Sequence, residues 1–376
     1  AEWLALADAF YEASMDTSQG GKAIPVIFGI DAVHGQSNIV GATLFPHNIG
    51  LGATRNPELL RRIGEVTALE TRTTGMEWAF APTVAVPQDD RWGRSYEGYS
   101  ESPEIVASYA GAMVEGLQGK VGTPGFLDGR HVIASVKHFL GDGGTTNGKD
   151  QGDTKISEAD LVRIHGAGYP PAIAAGAQTV MASFNSWNDV AAGKDYGKMH
   201  GTRDLLTVAL KEKMGFDGFV VSDWNGIGQV AGCSDDRCAQ AINAGLDVIF
   251  QTEYQHYKLF IPPFLNGAIH QERLDDAVSR VLRAKFELGL FETPYLDIKA
   301  TESANFEAAH KKIALEVGGY DTKTVGEDME IIVAYMGFTF AEAFRTEAFM
   351  SDIQSRYGDA YLQDFSGTWG SKEPMI

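Results

Sequence analysis

Cysteine is nearly absent: Cys233 and Cys238 are the two in 376 residues. Two sulfurs cannot close a tetrahedral zinc site, which takes four ligands. The C-x-x-C spacing of a redox pair is also missing. A small structural disulfide across the loop "GCSDDRC" is the expected state, and it points to an oxidising compartment. No run of 18 apolar residues occurs, so no transmembrane helix is expected. Positive charge is scarce as well: 31 Lys+Arg stand against 50 Asp+Glu, a net charge of −19. Phosphate neutralisation needs a basic face, which excludes nucleic acid, and equally an anionic membrane surface, as the main partner. The N-terminal Ala1-Glu2-Trp3-Leu4 shows no basic n-region and no apolar h-region. Read with the disulfide, this suggests a secreted or periplasmic protein whose signal has been removed. No tandem repeat or low-complexity tract is present.

What the sequence does have is alternation. Short β-branched or apolar runs at 25–30, 78–86, 132–139, 179–184, 219–222 and 246–250 read as buried strands. Amphipathic helices lie between them. Asn56 with Pro57 and Ser102 with Pro103 open two of them. Ser157 with Asp160, and Thr202 ahead of the run 205–214, are further N-cap candidates, with Gly215 closing the latter helix. A long helix over 272–287 places Leu274, Val278, Val281 and Leu282 on one face. Strand–helix alternation over so long a stretch means a parallel sheet with helical crossovers, either doubly wound or closed as a (β/α)8 barrel. No G-x-G-x-x-G follows the first strand, which weakens a dinucleotide-binding sheet. Polar residues at the ends of many strands (Asp31, Gln88, Lys137, Asn185, Asp223) favour the barrel, whose active sites sit at that face. Gly, at 43 residues, stands above its average share of about 7% and fits many tight turns.

Four segments could carry chemistry. In "VVSDWNGI" an apolar strand delivers Asp223 to the barrel mouth, with Trp224 beside it as an aromatic face suited to the C–H face of a sugar. In "VKHFLGDGGTTNGKDQGD", Lys137 and His138 close a strand. Neighbouring side chains point to opposite faces of an ideal strand, so both reach one ligand only if the strand twists or bulges. Gly143 to Lys149 nearly matches a phosphate-binding loop, but Asp150 stands where a hydroxyl should bind magnesium. In "DDRWGRSYEGYSESPE", Arg91, Arg94, Tyr96, Glu97 and Tyr99 suit hydroxyl-rich ligands, with a salt-bridged loop the simpler reading for Arg91 and Glu97. In "GIDAVHGQ", Asp31 ends the first strand near His34. A metal site from Asp31, His34 and His138 lacks paired-histidine spacing, so no metal and no cofactor are expected.

Five segments, "GIDAVHGQSNIVGATLFPHNIGLGAT", "APTVAVPQDDRWGRSYEGYSESPEIV", "SVKHFLGDGGT", "VMASFNSWND" and "GFDGFVVSDWNGI", occur in the order and at about the spacing of glycoside hydrolase family 3. The chain resembles that family's exo-acting β-glucosidases and β-glucan exohydrolases over about residues 1–297. The resemblance implies a (β/α)8 TIM-type barrel over 1–297. It implies that 298–376 is a short α/β appendage or the remnant of the family's second, sandwich domain. It implies Asp223 as the nucleophile, with Asp31, Arg94, Lys137 and His138 binding the sugar and Trp224 flanking it. Met181 belongs to the M-x-S-Y stretch at the same site, where Phe184 replaces the family's tyrosine. The N-acetylglucosaminidase branch carries a catalytic histidine in the loop after K-H-F. Here 140–143 read Leu-Gly-Asp-Gly, so that acid/base is not expected. The two-domain branch takes its acid/base from a sandwich-domain Glu, for which Glu327 and Glu342 qualify by residue type alone. The implied activity is that of a retaining β-glycosidase releasing glucose from the non-reducing end of β-glucans or β-glucosides. The alternative is a carbohydrate-binding or impaired barrel lacking the general acid/base.

Overall fold

In the computed structural model, the described residues are 2–292, apart from 19, 40, 253–257 and 260, together with 308–317. The chain divides into two compact units, 1–324 and 325–376, and all described residues lie in the first. The expected boundary at 297/298, Glu327 and Glu342 lie outside the described residues, as does the expected appendage apart from residues 308–317.

Five strands form a parallel sheet: β1 (Gly29–Ile30), β2 (Trp78–Ala79), β3 (Ile133–Phe139), β5 (Thr179–Ala182) and β8 (Phe219–Val221), in the order β1-β2-β3-β5-β8. Each pairs with its neighbour in parallel, and Val248 continues the series through one bridge to Val221. Sequential strands therefore neighbour one another in one rotational sense, as right-handed crossovers require. Several strands are shorter than their apolar runs. After Ala79 the chain still tracks β3, with Val84 N–H donating to the Lys137 carbonyl, but Pro82 has no N–H to contribute to a ladder. The expected strand at 246–250 is likewise an irregular segment paired at Val248 alone.

A second, three-stranded sheet was not expected from the sequence. It comprises β4 (Asp153–Ile156), β6 (Ser186–Asp189) and β7 (Lys194–Lys198), with β6 between the other two. Its segments "SWND" and "KDYGK" lack apolar alternation and carry Asp, Asn and Gly, which are depleted in strands. They are held by backbone ladders and by Trp187 stacked on Tyr196, with ring centroids 4.2 Å apart.

The helices named here are α1 (Glu2–Met15), α2 (Asn48–Ala53), α3 (Pro57–Arg72) and α4 (Pro103–Gln118). Asn56 caps α3 by accepting from Leu59 N–H, and Ser102 caps α4 by accepting from Ile105 N–H. Ser157 caps its short helix by accepting from Asp160 N–H. Thr202 does not cap. Its hydroxyl donates to the Tyr196 and Lys198 carbonyls, and the π-helical segment Asp204–Lys213 follows instead. Gly215 closes that segment with φ of +70°, a value that favours glycine. In the helix Gln271–Glu287 the fully buried positions are Ala277 and Ala284, with Val281 partly buried. Of the expected face, Leu274, Val281 and Leu282 are partly buried and Val278 is 48% exposed.

α3 and α4 pack backbone to backbone. A side chain at Gly64 would meet the Gly116 Cα, and one at Gly116 would strike the Arg61 carbonyl oxygen. The helix Ala308–Val317 rests against α3 through an ion pair and a histidine–carboxylate hydrogen bond. Arg62 donates to both oxygens of Glu316 at 2.8 and 3.0 Å. His310 Nδ1 lies 2.9 Å from the fully buried Glu70, whose carboxylate also accepts from the N–H and hydroxyl of Thr43.

Candidate active site

Asp223 lies two residues beyond the end of β8, after Ser222, and is buried. Its carboxylate is held by the next residue: Trp224 N–H donates to Oδ1 at 2.7 Å. Its own main-chain N–H donates to His200 Nε2 at 3.0 Å. The other carboxylate oxygen, Oδ2, faces His138 Nε2 at 3.7 Å.

The pairing of β3 with β5 shifts register between Val136 and Phe139, so the strand does bulge at Lys137–His138. Both side chains reach polar partners of the same site. Lys137, with only 4% of its side chain exposed, donates to Asp31 Oδ1 at 2.8 Å. His138 sits between Arg94 and Asp142, with Arg94 Nη2 3.0 Å from Nε2 and Asp142 Oδ2 2.9 Å from Nδ1. A guanidinium can only donate, so Nε2 accepts and the ring proton is on Nδ1, directed at Asp142. Burial, reinforced by the Arg94 charge, takes His138 down to about 3, so the ring is neutral. Burial pushes Asp142 up to about 6, against the opposing pull of Arg94.

Arg94 is fixed by a two-pronged ion pair with Glu97, at 2.7 and 2.8 Å. Burial would raise the Glu97 carboxyl, but the hydrogen bonds and charge of Arg94 outweigh it and hold Glu97 below its usual range, helped by the Lys137 charge. Arg94 thus ties Glu97 and His138 together beside Asp223. Arg91 pairs with Asp89, as a salt-bridged loop requires.

The remaining expected residues sort plainly. Trp224 is 47% exposed and stacks on Phe250, with ring centroids 4.7 Å apart. Met181 is buried in an apolar cluster with Trp78, Phe80, Ile133 and Phe219, so it contributes packing and no polar contact. His34 turns its Nδ1 to the Phe45 carbonyl and stacks on His47, away from any shared site with His138. Gln88 and Asn185, though at strand ends, bond backbone carbonyls: Pro87 and Glu101 for the one, Leu140 and Ser186 for the other. The glycines at 143 and 148 allow close approach to the backbones of Val86 and Trp92, which accounts for them without a phosphate. No group of three His, Cys, Asp or Glu among the described residues could hold a metal ion.

The sequence offers Glu97 as a ligand-loop residue or, more simply, a salt-bridge former, and it pairs with Arg94; Asp142 has no role assigned from the sequence. His200 gave no signal, because its partner is a main-chain N–H 23 residues away.

A parallel barrel with acidic and cationic side chains gathered around a buried carboxylate at the strand ends is built to bind a polar, hydroxyl-rich ligand. Comparison with known proteins narrows this further. The chain matches "Glycosyl hydrolase family 3 N terminal domain" over residues 1–284 and belongs to that family. Its fold is accordingly a (β/α)8 TIM-type barrel. It is 33% identical over 281 residues to a lysosomal beta glucosidase of Dictyostelium discoideum, covering 72% of this chain and 33% of that protein. It is 33% identical over 305 residues to a periplasmic beta-glucosidase of Salmonella typhimurium, covering 78% and 38%. Among solved structures, the exo-1,3/1,4-beta-glucanase of a Pseudoalteromonas species is 50% identical with a TM-score of 0.80, covering 84% of this chain and 39% of that one. A beta-glucosidase from Listeria innocua in complex with glucose is 28% identical with a TM-score of 0.72, covering 82% and 41%. The chain spans between about a third and a half of the length of these relatives.

Cys233 and Cys238 form the expected disulfide, and no cysteine is free.

Proposed function

We propose that the chain carries the site of a retaining β-glycosidase that releases glucose from the non-reducing end of β-glucans or β-glucosides. The observation that carries this reading is the state of Asp223. It is a buried carboxylate at a barrel strand end, oriented by Trp224 N–H and faced by the neutral His138 and the clamped Arg94. A side chain held this way suits attack on an anomeric carbon. One carboxylate oxygen bonds to that carbon, the glycosidic oxygen departs with its electron pair, and water later resolves the glycosyl-enzyme. Asp31, Lys137, Arg94 and His138 offer the mix of acceptors and donors that sugar hydroxyls require. The exposed ring of Trp224 supplies an apolar platform beside them. The relatives named above for glucosidase and exo-glucanase activity support the same substrate class. Periplasmic and lysosomal relatives, together with the disulfide, support an exported or compartmental protein.

The test uses a dinitrophenyl β-glucoside, whose phenolate needs little help from a proton donor. Wild-type protein should release phenolate. Asp223→Asn should lose about three or more orders of magnitude in rate while still binding glucose. Comparable turnover by the variant would remove Asp223 as nucleophile. Glucose binding without any phenolate release from wild type would favour a binding barrel.

A further inference from the structure

We propose that His200 is a positioning residue for the reaction above, accepting the main-chain N–H of Asp223 and so setting the direction of the attacking carboxylate. The proposal rests on Asp223 being the nucleophile. His200 lies in the short turn Met199–Gly201 that follows β7, and it is wholly buried. An imidazole nitrogen that accepts an N–H carries no proton itself, so Nε2 is the bare nitrogen and the ring proton belongs on Nδ1. Burial, with the Lys198 charge adding to it, takes the ring down to about 3, which keeps that acceptor available across the whole working range.

Two further features show that room is made for this contact. A side chain on Gly226 would collide with His200 Nε2. Asn225 adopts φ of +53°, which turns the chain back beneath the ring, and Gly226 N–H closes that turn on the Asp223 carbonyl. The consequence is a division of labour along two successive peptides. His200 fixes the peptide before Asp223, and the N–H of the peptide after it fixes the carboxylate. Without His200, the Asp223 N–H would be a buried donor with no acceptor, free to turn on the carboxylate and redirect it. A displacement of about 1 Å in an attacking atom is enough to cost on the order of 10²-fold in rate.

The experiment uses 2,4-dinitrophenyl 2-deoxy-2-fluoro-β-glucoside, which forms a long-lived glycosyl ester on the nucleophile as the phenolate departs. The rate of mass adduct formation is compared for wild type, His200→Gln and His200→Leu, alongside glucose affinity. Gln presents an amide oxygen near the place of Nε2, whereas Leu fills the space with no acceptor. The Gln variant should label within about threefold of wild type. The Leu variant should label about tenfold or more slowly, with glucose affinity within about twofold of wild type. Labelling by Leu at the wild-type rate, or equal losses in Gln and Leu with weakened glucose binding, would overturn the proposal. If wild type forms no adduct, the nucleophile reading has failed, and the contact is then judged in the resting protein. Nitrogen NMR should show His200 Nε2 unprotonated, and the Asp223 amide should exchange slowly in wild type. A protonated Nε2 or a rapidly exchanging Asp223 amide would overturn the contact itself, whether or not the Leu variant folds.

Discussion

At the scale of single residues, the site depends on Arg94 being a fork. Its guanidinium meets both oxygens of Glu97 while one nitrogen also reaches His138. Lysine is a point charge and cannot hold both. Arg94→Lys should therefore lower kcat/KM on an aryl β-glucoside by about 10²-fold, with most of the loss in kcat, as steady-state kinetics will show. A loss confined to KM would mean Arg94 only binds. Part of this candidate site was legible in the sequence: Asp31, Lys137, His138 and Asp223 are polar residues at or near the ends of apolar runs, and Arg94 entered through its polar loop and the family resemblance. Asp142 and His200 were not legible, since each acts through another group and residue type does not reveal its partner. Met181 packs in an apolar cluster, and an apolar residue in a motif looks the same in sequence whether it lines a pocket or fills a core.

At the scale of elements, caps and apolar runs were readable where they obey local rules, as at Asn56, Ser102 and Ser157. Thr202 failed because nearby carbonyls compete for its hydroxyl, and β4, β6 and β7 because their order comes from ladders, without an apolar pattern. The contact between α3 and α4 gives the clearest element-level test. Alanine normally stabilises a helix interior over glycine by about 1 kcal/mol. At Gly116 the added methyl would meet the Arg61 carbonyl, and overpacking typically costs about 1–3 kcal/mol. Gly116→Ala should therefore be destabilising by up to about 2 kcal/mol, read by urea denaturation. The disulfide spans a separation of 5 residues and ends at Cys238, just before the helix Ala239–Ala244. Replacing both cysteines with serine should cost about 2 kcal/mol, the loop-closure term for so short a ring. Thiol titration of the denatured, unreduced protein should find essentially no free sulfur.

At the scale of the whole molecule, buried histidines set the response to acid. His138 and His200 are held near 3 and His165 near 4, each chiefly by burial. Unfolded, each would bind a proton below about 6.5, so their contribution to stability is full above that pH and is lost as the pH falls. Asp142, raised to about 6, acts in the opposite sense: the native state holds its proton between roughly 4 and 6 and the unfolded chain does not. Near pH 5 the balance of these four groups is an uptake of about two protons on unfolding. Stability should fall by roughly 2–3 kcal/mol per pH unit there. Denaturant titrations at pH 7, 6 and 5 will measure this slope, and a flat profile would contradict buried neutral rings. The His310–Glu70 and Glu316–Arg62 pairs join residues 240 and 254 positions apart. On a ribosome adding about 5–20 residues per second, Glu70 emerges roughly 10–50 s before His310 exists. For that interval Thr43 is the partner available to a carboxylate that ends fully buried. The order of synthesis thus leaves this flank of α3 uncovered until residues 308–317 have been made, an interval in which a nascent-chain chaperone can bind there.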